Sequence, residues 1–230
     1  MTKSRYFIAC LGATTAIAIV AIIGGVFAIV QSAAKERDRA AWNSTRMLSA
    51  TVALSVDGRP RELGQGGGFI VDGRGLVLTN AQVINGATAV TVTLSSGHEV
   101  QGHVVRTNSL ADLAWVQLSA SDQTLMPLSI ANSDTARIGQ RIFLIGAPQE
   151  GSTIRKGTIT GLYPLQHGVK LIQTDMAVRA YDAGSALVDI EGNAIGIVSA
   201  TLAKGLRTVS AVSIVHAQEF LASLHDGPLP

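Results

Sequence analysis

Of the residue types that carry out covalent chemistry, cysteine and histidine are scarce in this 230-residue chain, and their spacing narrows the choice further. The one cysteine, Cys10, lies in an apolar N-terminal run, which excludes an intrachain disulfide or a cysteine zinc site. The five histidines, His98, His103, His167, His216 and His225, have no spacing that converges them on a metal, so neither metal nor cofactor is expected. One stretch stands apart. From Leu171 to Val188, two apolar segments flank Tyr181-Asp182-Ala183-Gly184-Ser185, a glycine-bearing turn able to hold side chains out of the backbone. Ser185 offers a hydroxyl there and Asp182 a carboxylate, while Asp112 is a second carboxylate ahead of Leu113 to Leu118. Acyl transfer needs an oxygen or sulfur nucleophile and a base that titrates near neutral pH. No histidine has a motif linking it to Ser185 or Asp112. An Asp112–Asp182 acid–base pair would need a proximity that sequence does not supply, and Asp182 is expected to shape its own turn.

The elements around this turn follow from composition and patterning. Abundant glycine, many Val, Ile and Thr and few aromatics predict short strands joined by tight turns. A net charge of +2 gives no electrostatic case for nucleic-acid binding. Val52, Leu54 and Val56 alternate; Asp72-Gly73-Arg74-Gly75 turns the chain into Leu76–Asn80; Asn85-Gly86 stops the next segment. Ser95-Ser96-Gly97 joins Ala89–Leu94 to Glu99–Arg106, and Leu113–Leu118 completes a first set. The run Gly64-Gln65-Gly66-Gly67-Gly68 reads as a flexible loop or a site of close backbone packing, because no Lys-Ser/Thr follows to make a phosphate loop. A second set begins near Pro127 and includes Arg141–Gly146, Ile154–Leu162, Val169–Thr174, Ala186–Ile190, Ala194–Ala200 and Thr208–Val212. Glu191-Gly192-Asn193 is its tightest hairpin turn. Ile214, Ala217, Phe220, Leu221 and Leu224 recur at helical spacing. These patterns predict an all-β domain over 48–225, with barrel one at about 48–120, barrel two at about 127–212 and a closing helix over 213–224, followed by a tail, 226–230.

Tyr6 to Ala34 contains no charged residue, and a helix of roughly 20 apolar residues is enough to cross a bilayer. Lys3 and Arg5 precede it; Lys35, Arg37, Arg39 and Arg46 follow. Residues 1–34 are expected to form an uncleaved membrane anchor with its N-terminus in the cytoplasm, rather than a signal peptide ending at Ser32-Ala33-Ala34. Residues 35–47 are expected to be an exposed linker.

Five motifs occur in one order. G-Q-G-G-G-F-I-V-D (Gly64 to Asp72), L-V-L-T-N-A-Q-V (Leu76 to Val83), S-L-A-D-L-A-W-V-Q-L (Ser109 to Leu118), I-A-N-S-D-T-A-R-I-G-Q (Ile130 to Gln140) and Q-T-D to A-L-V (Gln173 to Val188) resemble segments of the HtrA/Deg-type, trypsin-like serine proteases. The resemblance covers roughly Thr51 to Leu224. It implies two packed six-stranded antiparallel barrels of the chymotrypsin/trypsin type with a C-terminal helix. Position by position, the family's triad histidine falls on Gln82, its aspartate on Asp112 and its serine on Ala183. The oxyanion-hole glycine falls on Tyr181 and the second glycine after the serine on Ser185, so the hole region is Tyr181, Asp182 and Ala183.

Each of these positions has a chemical consequence. A methyl group has no nucleophilic atom, a glutamine amide does not titrate near neutrality, and tyrosine gives the hole less backbone freedom than glycine. The chain is therefore expected not to be an enzyme, but a membrane-anchored, inactive homologue with a binding, scaffolding or regulatory role. Two further readings stay open: an active endopeptidase using a non-standard nucleophile such as Ser185, and a structural subunit of a mixed oligomer with active relatives. The family binds peptides as an added strand, which implies a cleft lined by Ala177, Val178, Arg179, Ala180, Ser199, Ala200 and Thr201. Asp112 is expected to accept hydrogen bonds from backbone groups and from the Gln82 amide. The resemblance further implies a homo- or hetero-oligomer at the bacterial inner membrane, with the domain on the periplasmic side and without the family's PDZ domain.

Overall fold

The computed structural model describes residues 31, 44–56, 65–119, 124–131, 133–147, 153–165, 168–177, 179, 181–199 and 208–225. The chain divides into two units, Met1–Trp42 and Asn43–Pro230, and everything below concerns the second. The predicted membrane anchor lies outside the described residues, Gln31 excepted. Among the described residues no helix is long and apolar enough to cross a membrane.

Barrel one contains β1 (Thr51–Ser55), β2 (Gln65–Ile70), β3 (Leu76–Thr79), β4 (Ala89–Leu94), β5 (Glu99–Asn108) and β6 (Leu113–Leu118), closed in the order β1-β2-β3-β6-β5-β4. Barrel two contains β7 (Arg141–Ile145), β8 (Ile154–Pro164), β9 (Lys170–Ala177), β10 (Ala186–Val188), β11 (Ala194–Val198) and β12 (Thr208–Ser213), closed in the order β10-β11-β12-β9-β8-β7. Every strand pair is antiparallel, and closure leaves neither sheet an unpaired edge. Alternation explains the faces. Val90, Val92 and Leu94 of β4 point into the barrel between more exposed neighbours. The turns have their own chemistry: Asp72 Oδ1 accepts from the Arg74 and Leu76 N–H groups at 2.9 and 3.0 Å, forming an Asx turn.

Among the described residues three short α-helices complete the unit, beside a 3₁₀ turn at Ser133–Thr135. Residues 44–50 form α1, Ala81–Ile84 form α2 and Val215–His225 form α3. The first overlaps the end of the expected linker at 44–47 and buries Met47 and Ala50 in the main core, because an amphipathic turn ahead of β1 has apolar surface to cover. Arg46 anchors it, donating to the Pro127 carbonyl at 3.2 Å and to Ser129 Oγ at 2.5 Å in the segment that joins the barrels.

Each barrel has its own apolar interior, Val52 to Leu118 in the first and Ile142 to Ala211 in the second. The largest cluster lies between them. Phe69, Leu78 and Trp115 from barrel one meet Ile145, Ala186, Val188 and Ile197 from barrel two, with Met47 of α1 and Phe220 of α3 in the same cluster.

Residues 65–68 are strand, not loop, and the second of the two sequence readings explains why glycine is needed there. A Cβ on Gly66 would strike the Val83 side chain, and a Cβ on Gly184, which also has a φ of +84°, would strike the Gly67 carbonyl. The two backbones touch, and the Gly67 N–H donates to the Ala183 carbonyl at 2.7 Å.

Candidate active site

The turn after β9 is fixed mainly by its backbone. The Asp182 N–H donates to the Arg179 carbonyl (3.4 Å), Gly184 N–H to the Val198 carbonyl (2.9 Å) and Ser185 N–H to the Asp182 carbonyl (3.0 Å). Tyr181 holds a φ of +67°, the left-handed region that glycine enters most easily. The N–H groups of Tyr181 and Ala183 take part in none of the hydrogen bonds of the described residues. The Ala183 methyl packs against the interior of barrel one, in the cluster that contains Val83 of α2. Gln82 is therefore one residue from the helix position that touches the turn, and the Gln82 N–H donates to Asp112 Oδ1 at 3.0 Å. The fold thus gathers Gln82, Asp112 and Ala183, 101 positions apart at the extremes (183 minus 82), at the junction of the barrels.

Asp112 is buried at 3% exposure and holds a left-handed φ of +52°. Ser199 Oγ donates to its Oδ2 at 2.6 Å, and Asn80 Nδ2 donates to its main-chain carbonyl at 2.8 Å. The expected side-chain donor, the Gln82 amide, is replaced by the Ser199 hydroxyl; Gln82 contributes through its backbone. Burial pushes the Asp112 carboxyl above its ordinary value, outweighing the hydrogen bonds from Ser199 and from the Gln82 and Ala81 N–H groups, which act to lower it.

Asp182 shapes its own turn, as its position suggested. Its Oδ2 accepts from the Arg179 N–H at 2.7 Å, and its Oδ1 pairs with Arg155 Nη2 at 2.5 Å. Burial raises its carboxyl as well, against the lowering effects of the Arg179 N–H and the Arg155 guanidinium. Arg155 had no signal in the sequence. It lies on β8, 27 positions before Asp182, and nothing local to either residue announces the pair.

Other sequence candidates disperse. Ser185 is 1% exposed and its Oγ, which has no hydrogen-bond partner among the described residues, faces Gly67. His98 and His103 are exposed on the surface of barrel one. His216 accepts from the Lys170 N–H at 2.9 Å through Nε2. Among the described residues no group of His, Cys, Asp and Glu is placed to hold a metal. Of the cleft candidates, Ala177 and Arg179 are exposed, whereas the Ser199 side chain is buried on Asp112. Val178, Ala180, Ala200 and Thr201 lie outside the described residues.

Comparison with known proteins places this arrangement. Residues 66–197 match the trypsin-like peptidase domain family. The serine protease HhoA of Synechocystis is 34% identical over 179 residues, 73% of this chain and 45% of the relative. The periplasmic serine endoprotease DegP of Escherichia coli is 33% identical over 144 residues, 60% of this chain and 30% of DegP. Among solved structures, the HtrA-type protease AlgW with a decapeptide superposes with a TM-score of 0.67 at 26% identity, covering 80% of this chain and 66% of that one. The chain belongs to the trypsin-like peptidase family, as an HtrA-type member. It spans less than half the length of the curated relatives it matches.

These findings correct one expectation. The chain was expected not to be an enzyme, on the strength of positions 82, 181 and 183. Its relatives are named as serine proteases, which points to protease activity, and no observation among the described residues shows the chain to be inactive.

Proposed function

We propose that this HtrA-type domain receives an extended polypeptide in the cleft between its barrels, with the Tyr181 and Ala183 N–H groups donating to a main-chain carbonyl oxygen of that polypeptide. One observation carries the reading. In the turn from Tyr181 to Ser185, the N–H groups of 182, 184 and 185 are bonded within the protein, and those of 181 and 183 have no partner among the described residues. Tyr181 and Ala183 are half-buried, and two open backbone donors beside a left-handed tyrosine can receive a ligand oxygen. Ala177 and Arg179, exposed at the end of β9, would supply main-chain partners for an added strand.

Kinship with serine proteases makes the polypeptide a substrate of the peptidase class, so hydrolysis is measured together with binding. The test uses the full chain with fluorescein-labelled casein, followed by anisotropy and by release of acid-soluble fluorescence. Saturable binding is expected, and its absence would overturn the reading. Hydrolysis that disappears in Ser185→Ala would assign the nucleophile to Ser185, whose Oγ must then turn from Gly67 toward the cleft.

The finer placement of the protein belongs to the same proposal. The uncharged run from Tyr6 to Ala34 supports anchoring in the bacterial inner membrane with the domain on the periplasmic side. The full-length protein is then expected to stay with membranes at alkaline pH and to be digested by protease added outside the inner membrane.

A further inference from the structure

The ion pair between Arg155 and Asp182 is the most enclosed among the described residues, with side-chain exposures of 14% and 7%. Its geometry is more than a pair. The Arg155 guanidinium reaches two points on either side of the turn: Nη2 meets Asp182 Oδ1 at 2.5 Å, and Nη1 donates to the Ala177 carbonyl, the last residue of β9, at 2.8 Å. Between those points lie the residues that lead into Tyr181. Asp182 is held from its other oxygen by the Arg179 N–H at 2.7 Å, so the entry and the exit of the turn are both tied to one side chain. That side chain comes from β8, whose backbone is fixed in the barrel at the Arg155–Leu144 register.

We propose that Arg155 is a positioning residue for the polypeptide site: its two-pronged contact holds Tyr181 in the left-handed conformation that keeps the 181 and 183 N–H groups open. This rests on the polypeptide reading above. The physical case is one of balance. Tyrosine in the left-handed region is sterically disfavoured, so the turn needs an outside restraint to stay there. Arginine supplies it because its planar fork can engage a carboxylate and a carbonyl at once, which a lysine ammonium on a flexible stem does less well. The two donors also act across the loop rather than along it. Losing either prong frees one flank, and the tyrosine is then able to relax to negative φ, swinging its N–H away from that of Ala183.

The decisive variant is Arg155→Met combined with Asp182→Asn, because Arg155→Met alone would strand a buried carboxylate and destabilise the fold. Two readouts are taken on the full chain: amide hydrogen exchange in the 177–185 segment, and anisotropy of fluorescein-labelled casein. The double variant is expected to remain folded, to exchange that segment at least tenfold faster and to bind casein about tenfold more weakly. Arg155→Lys is expected to fall between it and the parent. Unchanged exchange in the double variant would overturn the proposal, and so would faster exchange with unchanged affinity, since Arg155 would then be merely structural. Absence of casein binding in the parent would sink the polypeptide reading itself, and with it the positioning role, whereas the exchange result alone still reports whether Arg155 restrains the turn.

Discussion

At the residue scale, Asp112 shows how a position can outlast its usual partner. Its carboxylate retains a hydroxyl and backbone donors, yet burial still raises its affinity for a proton. The folded value lies above the ordinary 3.8, so this group's contribution to stability is complete below that pH and is lost as pH rises through the folded value. Asp112→Asn is expected to raise the melting temperature at pH 7 by about 2–4 °C, the scale of 1 kcal/mol in a chain of this size, with the gain fading toward pH 4. Thermal melts of both proteins across that range check the sign. Tyr181 gives a second prediction. Because it already occupies a glycine-like conformation, Ala183→Ser with Gln82→His is expected to raise casein hydrolysis by at least about tenfold over the parent without Tyr181→Gly. A gain that appears only when Tyr181→Gly is added would show that the two N–H groups are misplaced.

At the scale of elements, the barrels meet through backbone rather than side chains near the turn. Gly184→Ala would add a Cβ against the Gly67 carbonyl and strain a φ of +84° at once. It is expected to cost about 3 kcal/mol or more in urea denaturation, while Gly73→Ala, where nothing lies near, should cost less than about 1 kcal/mol. The strands were legible in the sequence because alternation and turn chemistry are local: Ser95-Ser96-Gly97 delivers Gly97 at φ +83°, and β4 and β5 pair around it. Three things were not legible. The strand at 65–68 looked like a loop because its glycines answer to tertiary neighbours, Val83 at Gly66, Ser185 at Gly67 and Leu54 at Gly68, the second more than 100 positions away. Helix α1 has too few residues for a period to emerge. Ser199 on Asp112 and Arg155 on Asp182 join residues 87 and 27 positions apart, and no local pattern encodes such pairs.

At the scale of the whole molecule, the main apolar cluster belongs to neither barrel alone. Its last contributor, Phe220 of α3, lies beneath the Arg106 guanidinium of β5, 5.2 Å from the ring centre. Phe220→Ala is expected to cost about 3 kcal/mol by removing a buried ring and a cation–π contact together, and to destabilise both barrels in one transition. Hydrogen exchange reporting equal opening free energies for β3 and β11 would confirm the shared transition. The same cluster has a consequence for the protein's birth. Barrel one can close once Leu118 has left the ribosome, but the cover over Phe69, Leu78 and Trp115 is complete only when the chain has advanced about 100 residues further, to Phe220. At roughly 5–20 residues per second that interval lasts on the order of 5–20 s, during which a finished barrel carries a partly bare apolar flank. Translation stalled in that interval would leave a nascent chain that is folded and adhesive at the same time.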